Sequence, residues 1–255
     1  MTKEWNAKAY HVISAPQFAW GMKVLERVAP RGDEAALDAG CGSGRLTAEL
    51  LARLPNGTVT AADRSQNMVD EARKTLAPFG DRVRFHCGDL LELPHEDAFD
   101  LVFSTATFHW ILDHQRLFRV LFRALKPGGR LVAQCGGAGN LDRLHAIAEE
   151  QMAKADYASF FTSWTGVWEF ASAETTAERL TAAGFELVST DLELAPTPFA
   201  DRASFRLFLE NVVLRPHLAV IADPDKRASF LDAVVDGGPY ELDYVRLNIG
   251  AQKAS

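Results

Sequence analysis

Apolar positions along this chain fall into short dense runs separated by longer segments of helical spacing. The runs at 35–38, 59–63, 83–87, 99–104 and 130–135 read as strands, with Leu101-Val102-Phe103 a buried-strand run. Between them, 45–54, 66–76 and 115–125 repeat apolar residues at three- and four-residue intervals and predict helices. Pro55-Asn56-Gly57 stops the first of these helices, and Lys126-Pro127-Gly128-Gly129 stops the third. Ser65 stands where an N-cap belongs. Strand followed by helix, repeated with short turns, predicts an α/β fold with a parallel sheet covered on both faces.

The flanking segments are less regular. Residues 9–28 read as a helical lead-in, with Pro16 starting or interrupting it. Helices are expected at 141–157, 173–183 (ended by Gly184), 204–214 and 226–235, and strands at 185–194 and 240–249. No internal repeat or low-complexity tract appears. The organisation predicted is a single domain over 1–255. Its ligand-binding core is 31–137, an N-terminal helical lid occupies 1–30, and helical additions occupy 138–172 and 200–236.

The chemistry begins where the first strand ends, at Leu37-Asp38-Ala39-Gly40-Cys41-Gly42-Ser43-Gly44. Glycine lacks a Cβ and tolerates positive φ, so this turn can reverse sharply and let a ligand approach the backbone. The following helix aims free N–H groups and its positive end at that ligand. The spacing is GxGxG with an acid two residues ahead, not the GxGxxG of nicotinamide and flavin enzymes. Asp63 closes the second strand about 20 residues on, where a carboxylate accepts from ribose hydroxyls. Gly88-Asp89-Leu90 follows the third strand; Asp89 there suits an adenine amino group and Leu90 its ring. An ordinary turn explains Gly88-Asp89 equally well.

Composition narrows the partners. The chain has 255 residues, 47% of them hydrophobic, and a net charge of −7. An acidic balance counts against a nucleic-acid partner. Three dispersed cysteines, Cys41, Cys87 and Cys135, suggest neither a zinc site nor a disulfide framework, so no metal is expected. No signal peptide or run of about 20 apolar residues is evident, which predicts a cytoplasmic protein with no membrane partner. Oligomeric state, monomer or dimer, is left open.

Five segments in order, LDAGCGSG at 37–44, VTAADRS at 59–65, VRFHCGDLLELP at 83–94, FDLVFSTATFHW at 99–110 and LKPGGRLV at 125–132, resemble the class I S-adenosylmethionine-dependent methyltransferases. That resemblance implies a Rossmann-like, seven-stranded, mostly parallel sheet with its last strand antiparallel. It implies S-adenosylmethionine as cofactor, S-adenosylhomocysteine as product and a small-molecule substrate. Carried over by motif, Asp38 and Gly40 lie near the methionine amino group, and Cys41, Gly42 and Gly44 line the turn. Asp63 holds the ribose, Arg64 and Met68 flank the adenine, Asp89 and Leu90 grip it, and Thr105 passes near the methionine portion.

Within the class, His109-Trp110 after the fourth strand resembles the His-Trp or Gln-Trp of trans-aconitate and insect juvenile hormone acid methyltransferases. Tyr10 and Gln17 resemble the N-terminal Tyr and Gln of the latter, which places Tyr10 near the cofactor. By this likeness Gln17, His109 and Trp110 hold a substrate carboxylate. A carboxylate acceptor needs no general base. A hydroxyl or amine acceptor calls for one, with His109 as the candidate and His11 behind it. Open alternatives are O- or N-methylation of another small metabolite with His109 as base, a nicotinamide oxidoreductase, a nucleic-acid methyltransferase, and a non-catalytic cofactor-binding module. Against the nucleic-acid enzyme, Ser104-Thr105-Ala106-Thr107 stands where Asn/Asp-Pro-Pro-Tyr is expected. The aromatic-rich second half (Phe160, Phe161, Trp164, Trp168, Phe205, Phe208) reads as core or as a pocket for an apolar substrate.

Overall fold

The computed structural model describes residues 15–255, with side chains from Phe18 onward. In chain order the main elements are α1 (Ala15–Val28), β1 (Ala35–Ala39), α2 (Arg45–Ala52), β2 (Thr58–Asp63), α3 (Gln66–Leu76), β3 (Val83–Cys87), β4 (Phe99–Thr105), α4 (His114–Ala124) and β5 (Leu125–Gly136). There follow α5 (Asp142–Met152), α6 (Ala173–Ala182), β6 (Glu186–Leu194), β7 (Thr197–Pro198), α7 (Arg202–Phe208), α8 (Arg215–Val220), α9 (Pro224–Val235), β8 (Glu241–Leu242) and β9 (Val245–Gln252). The described residues divide into two compact units, one of 15–138, 169–193 and 246–255, the other of 139–168 and 194–245.

The larger unit is built on a seven-stranded sheet in the order β3-β2-β1-β4-β5-β9-β6. β1 to β5 pair in parallel, and β9 runs antiparallel to β5. Both faces of the central strands are buried, which is why they read as continuous apolar runs. Ala36, Leu101 and Phe103 face Val24, Leu25 and Val28 of α1 together with Leu50 and Leu51 of α2. Leu37, Ala39 and Val102 point the other way, onto Leu117, Phe118 and Leu121 of α4 and Leu180 of α6. The chain steps outward from β1 through β2 to β3, then returns to begin β4 on the other flank of β1. The carboxyl ends of β1 and β4 therefore form the switch point at which ligands bind in such sheets.

The smaller unit holds α5, α7, α8 and α9 with the two-stranded pairing of β7 and β8. Its helices depart from the periodicity-based expectation where local chemistry intervenes. The segment expected as one helix over 204–214 begins at Arg202 under an Asp201–Ser204 capping box, passes through a π-turn at Leu209–Val213, and restarts at Arg215 with Pro216 in its first turn. The strand expected over 240–249 is broken at Asp243 and Tyr244. Their carbonyls accept from Leu141 and Ala195 instead of continuing a ladder, so β8 and β9 belong to different sheets. The helix expected over 141–157 ends at Met152.

Candidate active site

The glycine-rich turn links β1 to α2. Gly40, Gly42 and Gly44 all take positive φ, of 95°, 53° and 83°. At Gly40 an added Cβ would run into the Thr107 side chain; at Gly44 it would press on Ala72 and Leu76 of α3. At Gly42 it would meet nothing within 4 Å, so the middle of the turn opens a cradle of bare backbone. The Gly40 and Cys41 N–H groups are already tied to the Ala62 carbonyl at 2.8 and 2.9 Å.

Two carboxylates frame this cradle. Asp38 is buried on β1, on the face covered by α1 and α2, and accepts from Thr47 Oγ1 at 2.6 Å. Burial pushes its pKa up to about 7, against the Thr47 bond that lowers it and with a further push from the Asp63 charge. A cationic amino group placed there would hold Asp38 ionised. Asp63, at the end of β2, accepts from Gly42 N–H through Oδ2 (3.0 Å) and from Ser65 N–H through Oδ1 (2.9 Å). It thus holds the shape of the turn. Arg64 is exposed beside it, and Met68 is buried in α3, whose N-cap Ser65 accepts from Met68 N–H. Asp89 is exposed and accepts from Leu91 N–H at 2.9 Å; Leu90 is buried against the sheet. A cradle of bare backbone, a buried acid half-ionised near neutrality and an acceptor at the second strand end fit a cationic nucleoside such as S-adenosylmethionine. Cys41 is packed, and burial raises its thiol well above the ordinary range, which rules it out as a nucleophile.

Beyond Thr105, β4 turns over through Ala106, a non-glycine residue at φ 53°. Such a conformation costs about 1 kcal/mol or more and persists where the surroundings impose it. Thr107 Oγ1 braces it by donating to the Thr105 carbonyl at 3.0 Å. The next turn, Phe108–Trp110, is clamped on several sides. Trp110 N–H bonds the Thr107 carbonyl, Glu169 N–H bonds the His109 carbonyl, and His114 Nε2 bonds the Phe108 carbonyl. The His109 ring lies between Trp110 and Phe170, at centroid distances of 5.4 and 5.8 Å. Its Nδ1 accepts from Gly136 N–H at 3.2 Å. Burial, the charge of Arg246 and His114 hold its pKa well below the usual imidazole range. The ring is therefore neutral, and with Nδ1 accepting, its proton sits on Nε2.

Tyr10 and His11 lie outside the described residues, and Gln17 is placed only as part of the α1 backbone. Sequence reasoning missed Arg246 on β9, which is 3% exposed and stacks its guanidinium 4.7 Å from the Trp20 ring centroid. One arginine in an alternating strand carries no sequence signal, because such positions normally face solvent. In the smaller unit, Trp164 and Trp168 pack on His217 at 4.6 and 5.6 Å, with Phe161 and Phe230 beside it. Burial there drives the His217 pKa down to about 3. Among the described residues no helix is long and apolar enough to cross a membrane, and no group of three or more His, Cys, Asp or Glu is placed to hold a metal ion.

A methyltransferase-domain family model matches residues 36–129. A trans-aconitate 2-methyltransferase of Methylobacterium radiotolerans is 30% identical, with the match spanning 99% of both chains. A malonyl-[acyl-carrier protein] O-methyltransferase of Priestia megaterium is 33% identical over 55% of this chain, which spans about half (52%) of that curated relative. Among solved structures, the [4+2]-cyclase SpnF superimposes with a TM-score of 0.61 at 27% identity, covering 92% of this chain and 80% of its own. With a full-length relative, the domain match and this sheet order together, the chain belongs to the class I S-adenosylmethionine-dependent methyltransferases.

Proposed function

We propose that this protein methylates a carboxylate oxygen of a small organic acid, as the name of its trans-aconitate relative suggests for that enzyme. The observation that carries this reading is the tautomer of His109. A general base needs a free lone pair, and this neutral ring has its only one occupied by Gly136 N–H. What it presents is a donor, Nε2–H. A donor beside an indole suits an acceptor that is already anionic, and a carboxylate is ionised at neutral pH without help.

The residues that would hold S-adenosylmethionine are Asp38, the Gly40–Gly44 turn, Asp63, Met68, Asp89, Leu90 and Thr105. When bound, its sulfonium supplies the methyl group: the carboxylate oxygen forms the new O–C bond, the S–C electron pair passes to sulfur, and no proton is released. The chain's own task is then placement and exclusion of water. His109 Nε2–H and the Trp110 indole N–H would orient the acid. Such a reaction confines the protein to a small-molecule partner, and we place it in the cytoplasm. The helical segments at 1–30, 138–172 and 200–236 we propose as lid elements.

The test is a screen of di- and tricarboxylates, fatty acids, phenols and amines for S-adenosylhomocysteine formation in weakly buffered solution with a pH indicator. Product from an acid without acidification supports the reading. Turnover confined to phenols or amines, with one proton released per turnover, refutes it. The SpnF likeness makes a second outcome informative, because a fold can keep a cofactor site while doing other chemistry. Cofactor binding without any methyl transfer would point there.

A further inference from the structure

We infer that Arg179 is a positioning residue for the acceptor side of the site: paired with Glu169, it keeps the proton of His114 on Nε2 and so fixes the turn that carries His109. That this turn meets the acceptor rests on the carboxylate reading above; the clamp itself does not. Its members, Phe108, His109 and His114 with Glu169 and Arg179, all belong to the larger unit. His114 opens α4 behind the cap Asp113 and is buried, with its ring against Phe118. Its two nitrogens meet partners of opposite kind. Nε2 lies 3.0 Å from the Phe108 carbonyl, which can only accept. Nδ1 lies 3.4 Å from Arg179 Nη1, which can only donate. The neutral ring with its proton on Nε2 satisfies both contacts at once, and no other form does.

Arg179 reaches this ring from α6. The same Nη1 donates to Glu169 Oε1 at 2.8 Å, and the Glu169 N–H donates to the His109 carbonyl at 3.0 Å. One ion pair thus stands behind two consecutive carbonyls, that of Phe108 through the His114 ring and that of His109 through the Glu169 backbone. Gln115 Nε2 ties α4 back to the Arg179 carbonyl at 3.4 Å. With both carbonyls held, the peptide between them resists rotation, and the His109 ring stays aimed so that Nδ1 meets Gly136 N–H. An ion pair whose side chains are 27% and 32% exposed adds little to stability. What this one settles is where a proton sits. Burial and the Arg179 cation hold the His114 pKa below the usual imidazole range, against the opposing pull of the Phe108 carbonyl, Glu169 and Asp113. Without the guanidinium, the Glu169 carboxylate would be left uncompensated beside Nδ1 and would draw the proton there. A neutral ring so protonated has no donor left for Phe108.

The experiment reads the imidazole nitrogens by long-range proton–nitrogen correlation in protein isotope-labelled at its histidines and loaded with S-adenosylhomocysteine. It is run at about pH 8, above the ordinary imidazole range, beside kinetics with the best acid from the screen. Wild-type His114 should carry its proton on Nε2. In Arg179→Met the proton should pass at least partly to Nδ1, and the His109 ring and Gly136 amide signals should move with it. The kcat/KM for the acid should fall by about 10- to 100-fold, the scale of a misplacement of about 1 Å, with cofactor affinity unchanged. Arg179→Lys keeps a cationic donor and should restore the Nε2 proton and most of the rate. His114→Gln offers Phe108 an amide N–H that needs no tautomer, so adding Arg179→Met to it should cost little more, whereas a merely structural arginine would cost the same in both backgrounds. Equal losses in the two backgrounds, or unchanged His114 and His109 signals in folded Arg179→Met, overturn the assignment. So does a wild-type His114 protonated on Nδ1, a result that needs no variant to fold. Failure of the carboxylate reading is distinct: the spectral response to Arg179→Met, without wild-type turnover of any acid, sinks the acceptor and leaves the clamp standing.

Discussion

Two isosteric replacements at His109 separate the donor role from the base role. In the His109→Gln variant the amide nitrogen reaches the locus of Nε2 and keeps a donor there. In the His109→Asn variant the amide oxygen reaches the locus of Nδ1 and keeps the acceptor for Gly136 N–H. The structure makes the two functions of the ring distinct, because Nδ1 is committed to Gly136 at 3.2 Å and only Nε2–H is left to donate. A hydrogen bond to a charged acceptor contributes about 1.5–3 kcal/mol. Its loss in His109→Asn should therefore lower kcat/KM by about 10- to 150-fold, at about 1.36 kcal/mol per decade. His109→Gln should retain most activity but melt earlier, since Gly136 is buried and its N–H loses a partner worth about 1–3 kcal/mol. The assay is S-adenosylhomocysteine release with the best acid from the screen, beside a thermal melt. The wild-type rate should be flat above about pH 6.5, because burial and Arg246 hold the ring neutral there. If His109 were the general base, both variants would lose about 10²–10⁴-fold, and that result would refute the donor assignment. Equal activity in His109→Phe would remove His109 from the site altogether.

Asp63→Ala should weaken S-adenosylmethionine binding by about 1–3 kcal/mol and also lower the melting temperature, since Gly42 and Ser65 N–H lose their acceptor; calorimetry with an unchanged Kd would contradict the ribose assignment. Asp38 has a folded pKa of about 7 against 3.8 unfolded, so the native state binds the proton more tightly. Its contribution to stability is full below pH 3.8 and is lost as pH rises through 7. Asp38→Asn should flatten that part of the melting profile, and cofactor binding to the wild type at about pH 6.5 should release a proton, read from binding heats in two buffers of different ionisation enthalpy. Among the cysteines, Cys87 is exposed while Cys41 and Cys135 are buried with raised thiol pKa values, the latter to about 12. Iodoacetamide at about pH 8 should therefore label Cys87 alone, and rapid labelling of Cys41 in the native protein would mean that the turn is open.

What the sequence revealed, and what it withheld, divides along the range of the interactions involved. The strands β1 to β5 and helices α2 to α4 were legible because each carries its own signal: an apolar run buried on two faces, a glycine-rich stop, or a cap such as Ser65. Asp38 and Asp63 were legible as acids at strand ends. Their second duties were not, because Thr47 and the Gly42 N–H meet them only once the turn has folded back. His109 was ambiguous for the same reason. Base or donor is decided by which nitrogen is engaged, and the partner, Gly136, lies 27 residues away at the end of another strand. Arg246 is the extreme case. Its neighbours Val245 and Leu247 mark a strand, and within a strand the residue between two buried ones reads as the solvated face. Only the antiparallel insertion of β9 beside β5, with α1 laid over that face, turns a surface-looking arginine into a buried cation at the carboxyl edge of the sheet. On the carboxylate reading, substrate choice rests on residues that long-range pairing brings together, while the cofactor motifs lie in one contiguous turn and the strand ends beside it. That difference explains why the methyl donor was readable from motifs alone, whereas the donor state of His109 became legible only once the end of β5 brought Gly136 beside it.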